Sequence, residues 1–161
     1  MESNLPQRSQ GAAEEIKDLI LRFYNHNKGG IELQEVVLMI PEKLLEILKQ
    51  DGIVAIATLG HEGPHMVNTW NSYIRISEDG RLLIPAGYMH RTEANITFNP
   101  EVLITLGSSK VQGLHGPGAG FLIKGKAAFI TAGPDFDLLK SKFDWLRATL
   151  AITPDSITQT W

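Results

Sequence analysis

Apolar positions change their spacing along the chain near Gly52. Before it they fall on helical steps. Ile16, Leu19, Ile20 and Phe23 recur at i, i+3, i+4 and i+7, one face of an amphipathic helix that starts near Ala13 and is ended by Asn25-His26-Asn27-Lys28-Gly29-Gly30. Residues 31–40 are mixed and read as a short helix or strand. Pro41 opens a further helix at a position where its missing N–H does no harm, with Leu44, Leu45 and Leu48 as the apolar face up to Asp51-Gly52.

After Gly52 the period falls to two, or to continuous apolar runs, which predicts strands. Ile53 to Leu59 reads as a buried strand, Gly60 to Pro64 as a turn and His65 to Ile76 as one long strand. Ser77-Glu78-Asp79-Gly80 closes a hairpin into Arg81 to Ala86. A short helix follows over Arg91 to Thr97, ending before Asn99-Pro100. Val102 to Ser108 and Gly120 to Thr131 read as two more strands, and Gly113 to Gly120 between them is too rich in glycine and proline for regular structure. The pattern predicts a last helix over Pro134 to Leu150, with Phe136, Leu139, Phe143, Leu146 and Leu150 on its core face. At about 100° per residue Leu138 and Trp145 point to the opposite side. A helix apolar on two sides is covered on two sides, either by the chain folding back or by a subunit or cofactor edge.

Five or six strands with short turns and peripheral helices predict a mainly β fold, a small antiparallel barrel. Residues 1–40 then form a helical extension and residues 41–161 the barrel domain. The composition, 43% hydrophobic and 20% charged over 161 residues, fits one globular body. There are 0 cysteines, which removes disulfides, thiol redox chemistry and thiolate metal sites, so any redox function needs a bound cofactor. A net charge of −3 without a basic run argues against a nucleic-acid partner. The first residues lack the basic and apolar regions of a secretory signal and no stretch is long and apolar enough to span a membrane, so a cytoplasmic soluble protein with no membrane partner is expected.

His61-Glu62-Gly63-Pro64-His65 matches the zinc-protease pattern by letter, but Gly63 and Pro64 place a turn where that chemistry needs one helix face, and no metal site is expected. Two segments carry more. Asn68-Thr69-Trp70-Asn71-Ser72-Tyr73 concentrates hydrogen-bonding side chains and two large aromatics, with Asn68, Trp70 and Ser72 alternating against Thr69, Asn71 and Tyr73. It is either an ordinary polar network or the edge of a polar ligand with an aromatic-sized ring. Pro85-Ala86-Gly87-Tyr88-Met89-His90-Arg91-Thr92 runs from a strand end into a helix start, where Arg91, the Thr92 hydroxyl and free helix N–H groups can receive a phosphate.

On these words the chain resembles the pyridoxamine 5'-phosphate oxidase-like family of FMN-binding split barrels, in particular its minimal members. The similar stretches are 63–73, 89–95, 116–123 and the Gln159-Thr160 ending before Trp161, within a resemblance that runs from about Leu44 to Trp161. The resemblance implies a homodimer built on a six-stranded antiparallel split β-barrel of Greek-key type, with FMN held noncovalently near the subunit interface. It implies a cofactor site of Asn68, Thr69, Trp70, Asn71 and Ser72 along the flavin, and of Pro85, Ala86, Gly87, His90, Arg91 and Thr92 at the phosphate. Trp145 and Trp161 are implied to lie near the flavin, across the interface. Arg91 replaces a lysine of the minimal members, which keeps the charge and adds a bidentate fork. Pyridoxamine 5'-phosphate oxidation itself is not expected, because Thr158-Gln159-Thr160-Trp161 lacks the Arg-rich ending of the true oxidases. The expected function is an FMN-binding flavoprotein in electron transfer or flavin-dependent oxidoreduction, with a redox protein as a candidate partner. The alternative is a flavin store, sensor or docking module without turnover. No residue is assigned a catalytic role.

Overall fold

The computed structural model describes residues 40–161. The helix expected from Ala13, and the segment before Ile40, lie outside the described residues.

Helix α1 (Glu42–Leu48) follows Pro41, whose extended backbone caps it. It buries Leu44 and Ile47, while Leu45 stands exposed, so the core face is rotated from the expected one. Strand β1 (Ile53–Gly60) pairs antiparallel with β2 (Gly63–Trp70) through a two-residue turn of His61 and Glu62. Gly63 takes up the left-handed backbone that this turn requires, at φ 94°. A 3₁₀ turn (Asn71–Tyr73) leads to β3 (Arg75–Ile76), β4 (Leu82–Ala86) and helix α2 (His90–Phe98). Strands β5 (Glu101–Gln112) and β6 (Pro117–Ile130), helix α3 (Pro134–Lys140) and strand β7 (Ala148–Gln159) complete the chain.

All the pairings are antiparallel, in the order β2-β1-β5-β6-β7-β4-β3. Strands β2 and β3 are the two edges of this sheet, yet only the Asn71–Tyr73 turn and Ile74 lie between them in the chain. So short a connection forces the sheet to curl until its edges meet, which makes it a split barrel. Val54, Ile56, Ile84, Ile104, Ile123, Leu150 and Ile152 fill its interior, with Leu44 and Ile47 of α1 in the same cluster.

Asn71 is the fastening of this closure. Its backbone N–H donates to Gly52 O at 3.0 Å, its Nδ2 donates to Gly107 O at 2.9 Å, and the residue is fully buried. The single strand expected over 65–76 is therefore broken at Asn71, where the chain turns inward to satisfy these bonds.

Three further expectations are corrected. Seven strands form, not six, because the sheet includes both the two-residue β3 and an unexpected β7. The helix expected over 134–150 stops at Lys140. Phe136, Leu139, Phe143 and Leu146 do share one cluster, with Leu83 and Ala151, so their spacing reports common burial although no helix continues through them. From Ala148 the period is two: Leu150 and Ile152 enter the barrel while Ala151 faces α3. The irregular segment expected over 113–120 shrinks to 113–116, since Gln112 pairs with Pro117 and proline is tolerated at the first position of a strand.

Candidate functional site

Where the barrel is split, the edge strand β2 faces the end of β4 across a cleft of about 580 Å³. Val67, Asn68, Thr69 and Trp70 form one wall, Pro85, Gly87, Tyr88 and Met89 the other, and Tyr73 and Trp145 close the end. Consecutive residues of β2 contribute because an edge strand lends a cleft both faces and its free backbone rim. The volume is that of a small-molecule site. Trp70, Tyr88 and Trp145 leave 50%, 83% and 49% of their surface in solvent, a large aromatic area for one cleft to expose.

The chain leaves β4 at Ala86, whose carbonyl accepts from Arg147 N at 3.0 Å, and passes Met89 before α2 begins. Met89 sits in the left-handed region at φ 59°, the one non-glycine residue that does so among the described residues. A residue in that region costs energy and persists where packing holds it. Here Met89 packs against the barrel core, while Arg147 Nη2 donates to Tyr88 O at 3.0 Å and to Glu93 Oε2 at 2.6 Å. The corner that carries Gly87 and Tyr88 is thereby tied to the residue that precedes β7 and to α2. Beyond it the Thr92 hydroxyl is fully buried with no partner, in the first turn of α2, whose N–H groups have no intrahelical acceptor. Arg91 is exposed and lies 3.6 Å from the Glu62 carboxylate.

Six of the expected cofactor residues line the cleft: Asn68, Thr69, Trp70, Pro85, Gly87 and Trp145. His90, Arg91 and Thr92 follow Met89 at the start of α2. The others lie apart from the lining. Asn71 is committed to the barrel closure, Ala86 is buried in β4, and Ser72 is exposed on the 3₁₀ turn, its carbonyl accepting from Arg75 Nη1 at 2.7 Å. Trp161 is at the β5–β6 turn, its ring 5.7 Å from that of His115 and its indole against Gly118. Val67, Tyr73, Tyr88 and Met89 were not among the expected residues. Tyr73, Tyr88 and Met89 belong to the two words already singled out, and for Tyr88 an aromatic next to Gly87 is the available signal. The zinc-like word forms the β1–β2 turn instead. Its Glu62 meets Arg91 and its His61 ring packs on that of Phe98 at 3.7 Å, tilted by 41°, and no group of metal-ligating side chains occurs among the described residues. Asn95 of α2 is buried, and its Nδ2 donates to Thr58 Oγ1 at 3.1 Å.

The lining holds two phenols, amide and hydroxyl groups and indoles, but no carboxylate, imidazole or amine. Such a cleft can bind and shield a flat, partly polar ring.

An antiparallel split barrel with an aromatic cleft at its split and a helix start beside it defines the class. The profile of the pyridoxamine 5'-phosphate oxidase family matches residues 40–160, and the chain belongs to that family. The "FMN-binding protein" of Nitratidesulfovibrio vulgaris (strain DSM 19637 / Miyazaki F) is 53% identical over 122 residues, which cover 76% of this chain and 99% of that protein. Among solved structures, Group A Streptococcus HupZ superposes with a TM-score of 0.61 at 17% identity, over 76% of this chain and 94% of the other. An FMN-binding protein from Syntrophomonas wolfei subsp. wolfei superposes with a TM-score of 0.60 at 14% identity, over 93% and 97%. At such identities these two establish the shared fold.

Proposed function

We propose that this chain binds FMN in the cleft at the split of the barrel and serves as a flavoprotein in electron transfer or flavin-dependent oxidoreduction. One observation carries the reading: an aromatic-walled cleft leads to a helix start at which a buried threonine hydroxyl has no partner. A buried hydroxyl without a hydrogen bond costs stability, and a phosphate oxygen at the first turn of α2 supplies one. The likeness to a relative named FMN-binding protein supports the same ligand.

Bound FMN supplies reversible electron acceptance, which no side chain of a cysteine-free protein provides. Asn68 and Thr69 would hydrogen-bond the polar part of the ring, Trp70, Tyr88 and Trp145 would shield it from water, and Arg91 and Thr92 would hold the phosphate. In the cleft the protein's part is binding, orientation and shielding.

The proposed assembly is a homodimer. Ile53, Leu59, Met66, Trp70 and Leu103 are each about half exposed or more, and they share the outer face of β2, β1 and β5. The register sets Ile53 opposite Trp70 and places Ala57 between Met66 and Leu103, so the apolar side chains are contiguous across three strands. A face of this kind is normally covered by a partner. A second copy would bring a second cleft edge against Trp70. No helix among the described residues is long and apolar enough to cross a membrane, and the cytoplasm is the proposed compartment.

The absence of an acid or base from the lining favours a second reading, a flavin store, sensor or docking module without turnover. Purified protein should be yellow and carry FMN near one per chain; colourless protein that takes up no added FMN refutes the proposal. Measured NAD(P)H consumption and electron exchange with a redox protein then separate the two readings, since rapid saturable turnover excludes the passive one.

A further inference from the structure

Trp145 forms part of the cleft wall although it belongs to no helix or strand. A half-exposed indole on an irregular segment has several rotamers and backbone states within reach. Lys140, the last residue of α3, removes that freedom. Its Nζ donates to Asp144 O at 2.6 Å and to Leu146 O at 3.0 Å, the carbonyls on either side of Trp145. One ammonium thus closes a ring around the peptide units that flank the indole, with charge-assisted bonds at both ends. Ammonium suits this task, because its three donors can serve both carbonyls at once. Both ends of the ring are themselves anchored. Leu139, next to Lys140, is fully buried, and Leu146 is buried with its N–H donating to Phe143 O at 3.0 Å.

We infer that Lys140 is a positioning residue for the flavin site: by bracketing Trp145 it holds the indole against Gly87 and fixes the aromatic wall, without lining the cleft itself. This rests on the FMN reading for its effect on the ligand, but not for its effect on the indole.

The test uses the full chain with Lys140→Met, which keeps the stem and loses the donors, and Lys140→Arg, which keeps donors. In the ligand-free protein the indole Nε1–H resonance of Trp145, assigned by its loss in Trp145→Phe, should shift or broaden in Lys140→Met and return towards its original position in Lys140→Arg. FMN and riboflavin should both bind Lys140→Met more weakly by about three- to tenfold, the worth of roughly one ordinary hydrogen bond, because Lys140 acts on the ligand only through the indole. Residual flavin fluorescence should rise, since a loosened indole quenches less. In the Trp145→Phe background the Lys140 substitution should have a smaller effect on both ligands. An unmoved resonance overturns the proposal, as does unchanged affinity in a protein that binds FMN. So does an equal loss with and without the indole. A wild-type protein that binds no FMN strikes the flavin reading alone, and the resonance then decides the role of Lys140. Lys140→Gln serves in place of Lys140→Met should the latter not fold cooperatively.

Discussion

The indole of Trp145 lies against the backbone of Gly87 so closely that a β-carbon there would stand 3.1 Å from Cε3 and 3.4 Å from Cζ3. Carbon atoms pack best at about 3.5 to 4.0 Å, so only glycine allows this approach. Gly87→Ala should push the indole outward by a few tenths of an ångström and leave the barrel intact. Overpacking of this size costs about 1 kcal/mol or more, and where the indole yields instead the loss falls on the ligand, about fivefold in FMN affinity. Titration with FMN, alongside thermal unfolding, checks both halves of the expectation.

Arg91 and Glu62 make opposite predictions. A phosphate needs charge-assisted donors worth roughly 1.5 to 3 kcal/mol each, so Arg91→Ala should weaken FMN by about tenfold or more and leave riboflavin nearly unaffected. Glu62, 3.6 Å from the guanidinium, competes with the phosphate for the same charge. Both side chains are substantially exposed, and such a pair is worth only about 0.2 to 1 kcal/mol. Glu62→Gln should therefore tighten FMN, by at most about fivefold, and the gain should fade as salt is raised. Equal loss of FMN and riboflavin in Arg91→Ala would assign Arg91 to the fold.

The strands from Ile53 to Ala86 and both strands of the long hairpin were legible because β1, β5 and β6 turn alternate residues to the core, and β4, buried on both faces, is a short apolar run that follows turn residues. Strand β7 was not. Ala148 to Ile152 is buried on both faces, so no alternation marks it, and Leu146 and Leu150 continue the spacing set by Phe136, Leu139 and Phe143. The same cause displaced Trp145, which owes its position to Lys140 and to the turn after α3 instead of to a second helical stripe. Asn71 could be read as a polar group needing a partner. That the partners are Gly52 and Gly107, remote in sequence, is a property of barrel closure that no local pattern contains. The cleft residues were legible mostly as two words, and Tyr88 and Met89 entered through the course of the chain between β4 and α2.

Barrel closure gives a stability prediction. Gly52 leaves room for Asn71; a β-carbon on Gly52 would clash with the Asn71 amide nitrogen and stand 2.5 Å from Gly107 O. Gly52→Ala must displace one of them and should destabilise by about 1 to 3 kcal/mol. Asn71→Ala removes the bond to Gly107 O and should cost a similar amount, about 1 to 3 kcal/mol for a carbonyl left buried and unpaired. Because both substitutions act on one contact, the double variant should lose less than the two single losses combined. Denaturant unfolding at equilibrium measures all three.

Met66 lies near the middle of the apolar face and is 64% exposed. Met66→Glu places a carboxylate at the centre of the proposed dimer interface, where burial without a partner is costly. Sedimentation equilibrium should show the wild-type protein as a dimer and Met66→Glu as a monomer at micromolar concentration, with the far-ultraviolet spectrum unchanged. A monomeric wild-type protein would remove the homodimer from the proposal.

Trp161 offers the sharpest test of that interface, because within one chain it does not line the cleft. Its indole rests on Gly118, its carbonyl accepts from Gln159 Nε2 at 2.8 Å, and 53% of its surface is exposed. These contacts by themselves would leave Trp161 with no part in binding. In the proposed dimer the Trp161 indole of one copy would reach the cleft of the other and shield the flavin there, an aromatic contact worth about 0.5 to 1.5 kcal/mol beyond area burial. Deleting Trp161 should then weaken FMN about two- to tenfold and raise residual flavin fluorescence, without loss of fold. In the monomeric Met66→Glu protein the same deletion should change neither quantity, since no neighbouring cleft is within reach. A deletion that acts equally in monomer and dimer would place the effect within one chain, and one that acts in neither would make Trp161 a bystander to the flavin.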